Sequence, residues 1–268
     1  MDHATVKGSV GASRDAIGAR AARHLELAFR EFTVGHGAEL GAGYLRWVTR
    51  ELHPMGNVAI VAEPDDPAGA LAAAEPLVTR NVPAAVLFPD GVSAAVVRSV
   101  LAMGFEDHGA MPAMAVDIDR MAATALPAGY AWARVGVGGE GGAWAEALGV
   151  GYGLPPGLAR LFSPETLGAD MAADAPTQYF SIVRDGRTVA TSLLYLADGL
   201  AGIYCVATVP EERGKGLGAH ATAEALRTAR RLGYGVGVLQ SSPAGHSVYL
   251  GLGFEDVAEV PMFVRLPH

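Results

Sequence analysis

The chain has 268 residues, half of them hydrophobic and 18% charged, with a formal net charge of −8. That much apolar material suits one large domain or two ordinary ones and excludes a disordered chain. The acidic balance makes nucleic acid and anionic membrane poor partners, and the lone Cys205 excludes an intrachain disulfide or a multi-cysteine metal site.

Residues 1–14 are small and polar and are expected to fray. From Asp15 to Phe32 the apolar positions Ile17, Ala21, Leu25, Ala28, Phe29 and Phe32 recur at helical spacing. A second helix is expected over Gly41–Leu52, a buried strand over Val58–Val61, and a helix over Pro67–Thr79 with Pro at its first turn and Pro76 interrupting it. Val82–Phe88 reads as a strand, Ser93–Met103 as a helix closed by Gly104, and Met111–Ile118 as a strand with Pro112 at its edge. A strand over Tyr130–Val137 and a Gly-rich patch (136–142) lead into helical stretches at Trp144–Leu148 and Gly157–Leu161. Tyr179–Arg184 and Thr188–Leu196 flank Asp185-Gly186, a hairpin signal. Then follow a strand (Leu200–Val209), a helix (Gly216–Leu232) ended by Gly233, a strand (Val236–Gln240), a short helix (Gly245–Leu250) and a last strand (Val260–Leu266). The pattern is mixed α+β.

Met103-Gly104-Phe105-Glu106-Asp107 returns as Leu252-Gly253-Phe254-Glu255-Asp256, an offset of 149 residues. The same shift aligns Pro112 with Pro261, Leu101 with Leu250 and Ser93 with Ser242. A helix, a corner and a Pro-bearing strand repeat together, which points to a duplicated domain with halves of about 1–129 and 130–268.

The sharpest local signal is Val206-Ala207-Thr208-Val209-Pro210-Glu211-Glu212-Arg213-Gly214-Lys215-Gly216-Leu217-Gly218. A buried strand runs into a glycine-rich turn that opens a helix. Helix N-termini offer unpaired amides and a partial positive charge, and glycines let the backbone close around a bulky anion. Arg213 and Lys215 add positive charge to an otherwise acidic chain.

These residues resemble the GNAT superfamily of acyl-CoA-dependent N-acyltransferases. Arg213–Gly218 fits the family's Arg/Gln-x-x-Gly-x-Gly/Ala signature, with the expected Pro three residues earlier. Ser242-Pro243-Ala244-Gly245-His246-Ser247-Val248-Tyr249-Leu250-Gly251-Leu252-Gly253-Phe254 is similar to its second signature, with Ser242, Gly245 and Val248 standing where Asn, Ala and Leu are usual. The resemblance covers roughly residues 178–265. It implies two tandem GNAT-like domains, each a mixed, mostly antiparallel sheet with flanking helices and splayed central strands. It implies acetyl-CoA as acyl donor and no metal. Val206, Ala207 and Thr208 would pair with pantetheine, and Arg213, Gly214, Lys215, Gly216, Leu217, Gly218 and Ala219 would hold the pyrophosphate. Ser242 would join the cofactor site. A small-molecule amine would attack the thioester directly, and Tyr249 would protonate the leaving thiolate, a phenol being a suitable donor to a thiolate. The base is open among Glu224, Asp198, Tyr204 and His246. The Gly136–Gly142 patch would form a flexible approach to the acceptor pocket. Trp132, Trp144 and Tyr152 read as packing residues and Cys205 as a small core residue.

The 149-residue shift moves Arg213–Gly218 onto Pro64-Asp65-Asp66-Pro67-Ala68-Gly69, and Tyr249 onto Val100. Two carboxylates replace the cation, and the prolines remove donors. The first half is expected to be a copy that kept its core and lost the chemistry. Alternatives are another acyl-CoA, an acyl carrier protein as donor, or a non-catalytic acyl-CoA sensor. No secretory pattern and no run of about 18 apolar residues is found, so a cytoplasmic protein is expected. The Arg-, Ala- and Gly-rich composition suggests a bacterial source. A tandem pair is expected to be monomeric, with a dimer as the alternative.

Overall fold

The computed structural model describes residues 14–267. The expectation of fraying over 1–14 therefore lies outside the described residues, apart from Arg14. In chain order the elements are α1 (Arg14–Thr33), β1 (Glu39–Gly41), β2 (Tyr44–Val48), β3 (Asn57–Val61), α2 (Pro67–Thr79), β4 (Ala84–Leu87), α3 (Ala94–Ala102), β5 (Glu106–Asp117) and β6 (Tyr130–Val135). Then come α4 (Gly139–Tyr152), α5 (Pro156–Leu161), α6 (Pro164–Leu167), β7 (Thr177–Arg184), β8 (Arg187–Ala197), β9 (Leu200–Thr208), α7 (Leu217–Arg231), β10 (Val236–Gln240), α8 (His246–Leu252) and β11 (Glu255–Arg265). Shifted by 149 residues, α2 falls on 216–228, within a residue of where α7 begins, and β5 falls on 255–266, almost all of it β11.

The chain forms two compact units. One holds Arg14–Ala113 and the chain from Asp256 onward, and the other holds Met114–Glu255. The cut between these two units falls within β5 and at the start of β11. A strand that follows a helix in one half of the sequence need not pair with its own half. β11, the last strand of the second repeat, pairs antiparallel with β4 of the first.

In the first unit, β2 pairs antiparallel with β1 and β3, and β3 pairs parallel with β4. Every residue of β3 and β4 is buried. The core gathers Ala70, Ala73, Ala74 and Leu77 of α2 with Val86, Phe88, Val100 and Phe263. Along α1, the expected positions Ala21, Leu25, Ala28 and Phe32 are buried, and Ile17 and Phe29 are half-buried. Its Gly18 is needed there, because a Cβ would sit 2.2 Å from the Val257 carbonyl oxygen.

The helix expected over Gly41–Leu52 is instead the β1–β2 hairpin. Gly43, at φ +75°, turns the chain; Leu45 and Trp47 are buried on one face, and Tyr44 and Val48 on the other are half-buried against the α2 core. Tyr, Trp and Val favour that pleated surface, and pairing with β3 decides the outcome. Pro76, expected to interrupt α2, lies inside it. Proline removes the amide that would bond the Ala72 carbonyl four residues back. The Arg46 guanidinium donates to that carbonyl at 2.9 Å instead, so the carbonyl keeps a partner.

In the second unit the strand order is β10-β9-β8-β7-β6, with the end of β5 next to β10. β6, β7, β8 and β9 are antiparallel neighbours. Both connecting turns put a non-glycine and a glycine at positive φ, Asp185 (49°) with Gly186 (75°) and Asp198 (48°) with Gly199 (67°), the mirror-image turn that matches strand twist. α7 buries Leu217, Ala221, Ala225, Leu226 and Ala229, and carries Arg230 and Arg231 where the helix dipole favours cations. Trp144 is buried, donates to the Phe180 carbonyl at 2.9 Å, and meets Tyr179 edge-on. Trp132 stacks on Phe180 at 4.8 Å.

Candidate active site

β9 is the strand on which the site is built. On one side it stays paired with β8 to its last residue, Ala190 opposite Thr208. On the other its parallel ladder with β10 has two rungs, Ala201 with Gly237 and Gly202 with Val238. Among the described residues the β9–β10 ladder runs no further than Gly202, so the two strands splay and the last part of β9 forms a backbone edge. The ladder with β8 is irregular between Thr191 and Leu193, and Cys205 takes φ +51°. This is a β-bulge, which bends a strand and re-aims its side chains. The buried Thr191 hydroxyl donates to the Cys205 carbonyl at 2.7 Å and fixes it. Burial pushes the Cys205 thiol up to about 12, which leaves it protonated and not a nucleophile.

After β9 a short turn at Pro210–Glu212 leads to the exposed segment 213–216. Gly214 and Gly216 both take positive φ (77° and 76°) with open space where a Cβ would stand. Gly216 is the N-cap of α7 and supplies no side-chain cap. The first-turn amides of α7 thus keep the free donors and the positive end of the helix dipole. Leu217, buried against Val209 and Ala221, anchors that turn. The Cβ position of Gly218 is 3.8 Å from both Val206 Cγ1 and Thr208 Oγ1. The structure therefore brings Val206, Thr208 and the α7 N-terminus to one place. Ala207 is buried, and its methyl meets the Cβ position of Gly151 on α4. Ala219 is half-buried against the same core that Val206 joins.

Arg213 and Lys215, expected to add positive charge at this turn, are both engaged within the protein. Arg213 donates to the carbonyls of Gly151 (2.7 Å) and Thr208 (3.3 Å). Lys215 donates to Glu212 (2.5 Å) and to the Tyr130 hydroxyl (3.2 Å). The sequence reading missed Glu212, Tyr130 and Arg184, which surround Lys215. Glu212 stood in plain view in the motif, but its partners are distant in sequence.

Tyr249 is on α8, buried, and shares a core cluster with Ile203 and Leu239, against which Val206 packs. Its ring lies 5.8 Å from that of Phe254. Burial pushes the phenol up to about 12, so it is protonated at neutral pH. Ser242 makes the turn into α8: its Oγ accepts from Gly245 N at 3.2 Å and its carbonyl from His246 N at 3.1 Å. A Cβ on Gly245 would lie 3.0 Å from the Tyr249 ring, so the glycine leaves that ring room. Burial of its hydroxyl, then the proximity of Tyr249 and Cys205, push the Tyr152 phenol up.

Among the bases considered, Asp198 lies in the turn at the opposite end of β9 from Val206–Thr208. Glu224 is paired with Arg227. Burial pushes Tyr204 well above its ordinary range. The Gly136–Gly142 patch opens α4, where Glu165 accepts from Gly138 N at 3.3 Å and its carboxylate fills the space beside Gly141. A carboxylate already occupies that helix N-terminus. A cavity of about 620 Å³ is lined by Gly142, Glu146, Gly149, Gly153 and Arg160. It is on the face of α4 opposite Gly151 and so is not part of this site. Among the described residues no group of three His, Cys, Asp or Glu side chains could hold a metal, and no helix is long and apolar enough to cross a membrane.

Residues 154–254 match the acetyltransferase (GNAT) family. A GCN5-related N-acetyltransferase from Kribbella flavida is similar with a TM-score of 0.66 and 22% identity, over 91% of this chain and 95% of that one. A GCN5-related N-acetyltransferase from Sphaerobacter thermophilus gives 0.62 and 17%, over 94% and 92%. A tandem GNAT protein from the clavulanic acid biosynthesis pathway gives 0.50 and 17%, over 77% and 74%. No curated protein matches the sequence. Residues 154–254 are thus a GNAT-family domain. The chain has the GNAT fold, consistent with its tandem form.

Proposed function

We propose that the protein is an acyl-CoA-dependent N-acyltransferase that moves an acetyl group from acetyl-CoA to an amine of a small molecule. One observation carries this reading: an uncapped, glycine-lined helix N-terminus opens beside a strand that has left its neighbour, with a buried, protonated Tyr249 in the same core. Each part suits one part of acetyl-CoA. The amides of Gly214–Ala219 suit a diphosphate. The free edge of β9 suits the amide-bearing pantetheine arm, because main-chain groups there can pair as another strand would.

The amine nitrogen attacks the thioester carbonyl carbon, the C–S bond breaks, and the sulfur leaves with the electron pair. Tyr249 Oη gives its proton to that sulfur, and the proton lost by the attacking nitrogen passes to solvent and restores the phenol. A phenol near 12 stays neutral until it is needed. Its transfer is coupled to C–S cleavage, because a free thiolate is the weaker base. The net charge of −8 favours cationic acceptors in encounter but does not select among them. The test is release of free thiol from acetyl-CoA with a panel of amines. Turnover that collapses in Tyr249→Phe while CoA still binds supports the enzyme. Tight CoA binding without turnover on any amine favours a sensor.

A further inference from the structure

Two consecutive acids precede the glycine turn, and the fold treats them differently. Glu211 is exposed, 3.8 Å from Arg187. Glu212 is buried and accepts from Tyr130 Oη (2.5 Å), Arg184 Nη1 (3.0 Å) and Lys215 Nζ (2.5 Å). The Tyr130 hydroxyl also accepts from Arg184 (3.0 Å) and Lys215 (3.2 Å), and both cations lie over its ring, at 5.2 and 6.0 Å. Two cations, one carboxylate and one phenol thus form a closed network. It ties β6 and β7 to the turn on either side of Arg213-Gly214.

That placement matters because the turn has little stiffness of its own. At Gly214 and Gly216 a Cβ would find no atom within 4 Å to pack against, and both occupy conformations open mainly to glycine. Charge-assisted bonds are short and directional, and a buried carboxylate is costly unless its partners are fixed. From this geometry we infer that Glu212 is a positioning residue for the donor's diphosphate. It holds Lys215 and the turn in the shape that directs the amides of Gly214–Ala219 outward. The inference rests on the transferase reading above.

The test is calorimetric titration of the full chain with CoA and, separately, with pantetheine, which lacks the diphosphate. In Glu212→Ala, CoA affinity falls about tenfold while pantetheine affinity changes less than about twofold, the size expected for loss of a charge-assisted contact. Glu212→Gln, which still accepts from Tyr130 but offers the cations no charge, lies between, and its near-isosteric side chain keeps the test valid should the alanine variant misfold. An equal loss for both ligands marks a general structural role and overturns the inference, as does no change for either. Wild-type protein that fails to bind CoA at all overturns the transferase reading together with it.

Discussion

α2 and α7 both follow a buried strand with a parallel neighbour, and both begin at the corresponding point of the repeat, yet their first turns are opposites. α2 is capped by Asp66, whose Oδ1 accepts from Ala68 N at 3.1 Å and whose other oxygen fills the Cβ position of Gly69. α7 starts from Gly216 with no cap. The strands differ in the same sense. β3 keeps β4 to Ile60, seven residues before α2 begins, whereas β9 leaves β10 after Gly202, fifteen residues before α7. Splayed central strands are thus a property of the second unit, and the corresponding strands of the first stay zipped. On the proposed reading the α7 N-terminus can take a ligand because it is both uncapped and beside a strand that has left its neighbour, and the α2 N-terminus is neither.

The largest expected effect comes from giving α7 the charge that α2 carries. Gly218→Asp places a carboxylate beside Val206 and Thr208 and weakens CoA binding by at least about 100-fold, like charges a few ångströms apart repelling by ~4 kcal/mol at intermediate dielectric. Isothermal titration reads this directly. Tyr249→Phe removes the proposed proton donor, at the position that Val100 holds in the first repeat. It lowers kcat on the order of 100-fold with CoA affinity kept, measured by thiol release and titration on the same preparation. Leu77→Ala empties a fully buried position in the core under α2 and costs about 3 kcal/mol in denaturant unfolding.

Smaller effects follow. Asp66→Ala removes the α2 cap and costs about 1 kcal/mol. Even the pair Asp65→Ala and Asp66→Ala gains no CoA binding, because β3 and β4 remain zipped; a gain in titration would break the comparison. The Glu212 carboxyl is held down to about 2, first by its hydrogen bonds from Lys215 and Tyr130. A depressed carboxyl contributes stability above its ordinary value, 4.5, and loses it as pH falls toward 2. The melting temperature should therefore fall less between pH 5 and pH 2 in Glu212→Gln than in the parent chain.

Much of this was legible in the sequence. Periodicity and punctuation placed α1, α2, α3, α7 and all of β6–β10, because there local preference and burial agree. The repeat and the Val206–Gly218 stretch located the uncapped helix, since glycines that free a turn are visible as letters. The helix expected over Gly41–Leu52 gives way to strand because a short run such as Tyr44-Leu45-Arg46-Trp47-Val48 suits either period until a partner strand chooses. Pairing of β11 with β4 was invisible for a similar reason, because no local residue states which sheet a strand joins. Arg213 and Lys215 could be read as cations but not as already paired, since Gly151, Tyr130 and Arg184 reach them only through the fold.

The uncapped turn at α7 is tested most directly by titrating CoA into ¹⁵N-labelled protein and following the backbone amides. The account predicts large shifts at Gly214, Gly216, Gly218 and Ala219, along the β9 edge at Tyr204–Thr208, and none at Ala68–Ala70. Unmoved α7 amides in millimolar CoA, or shifts centred on the Asp66 cap, would contradict it.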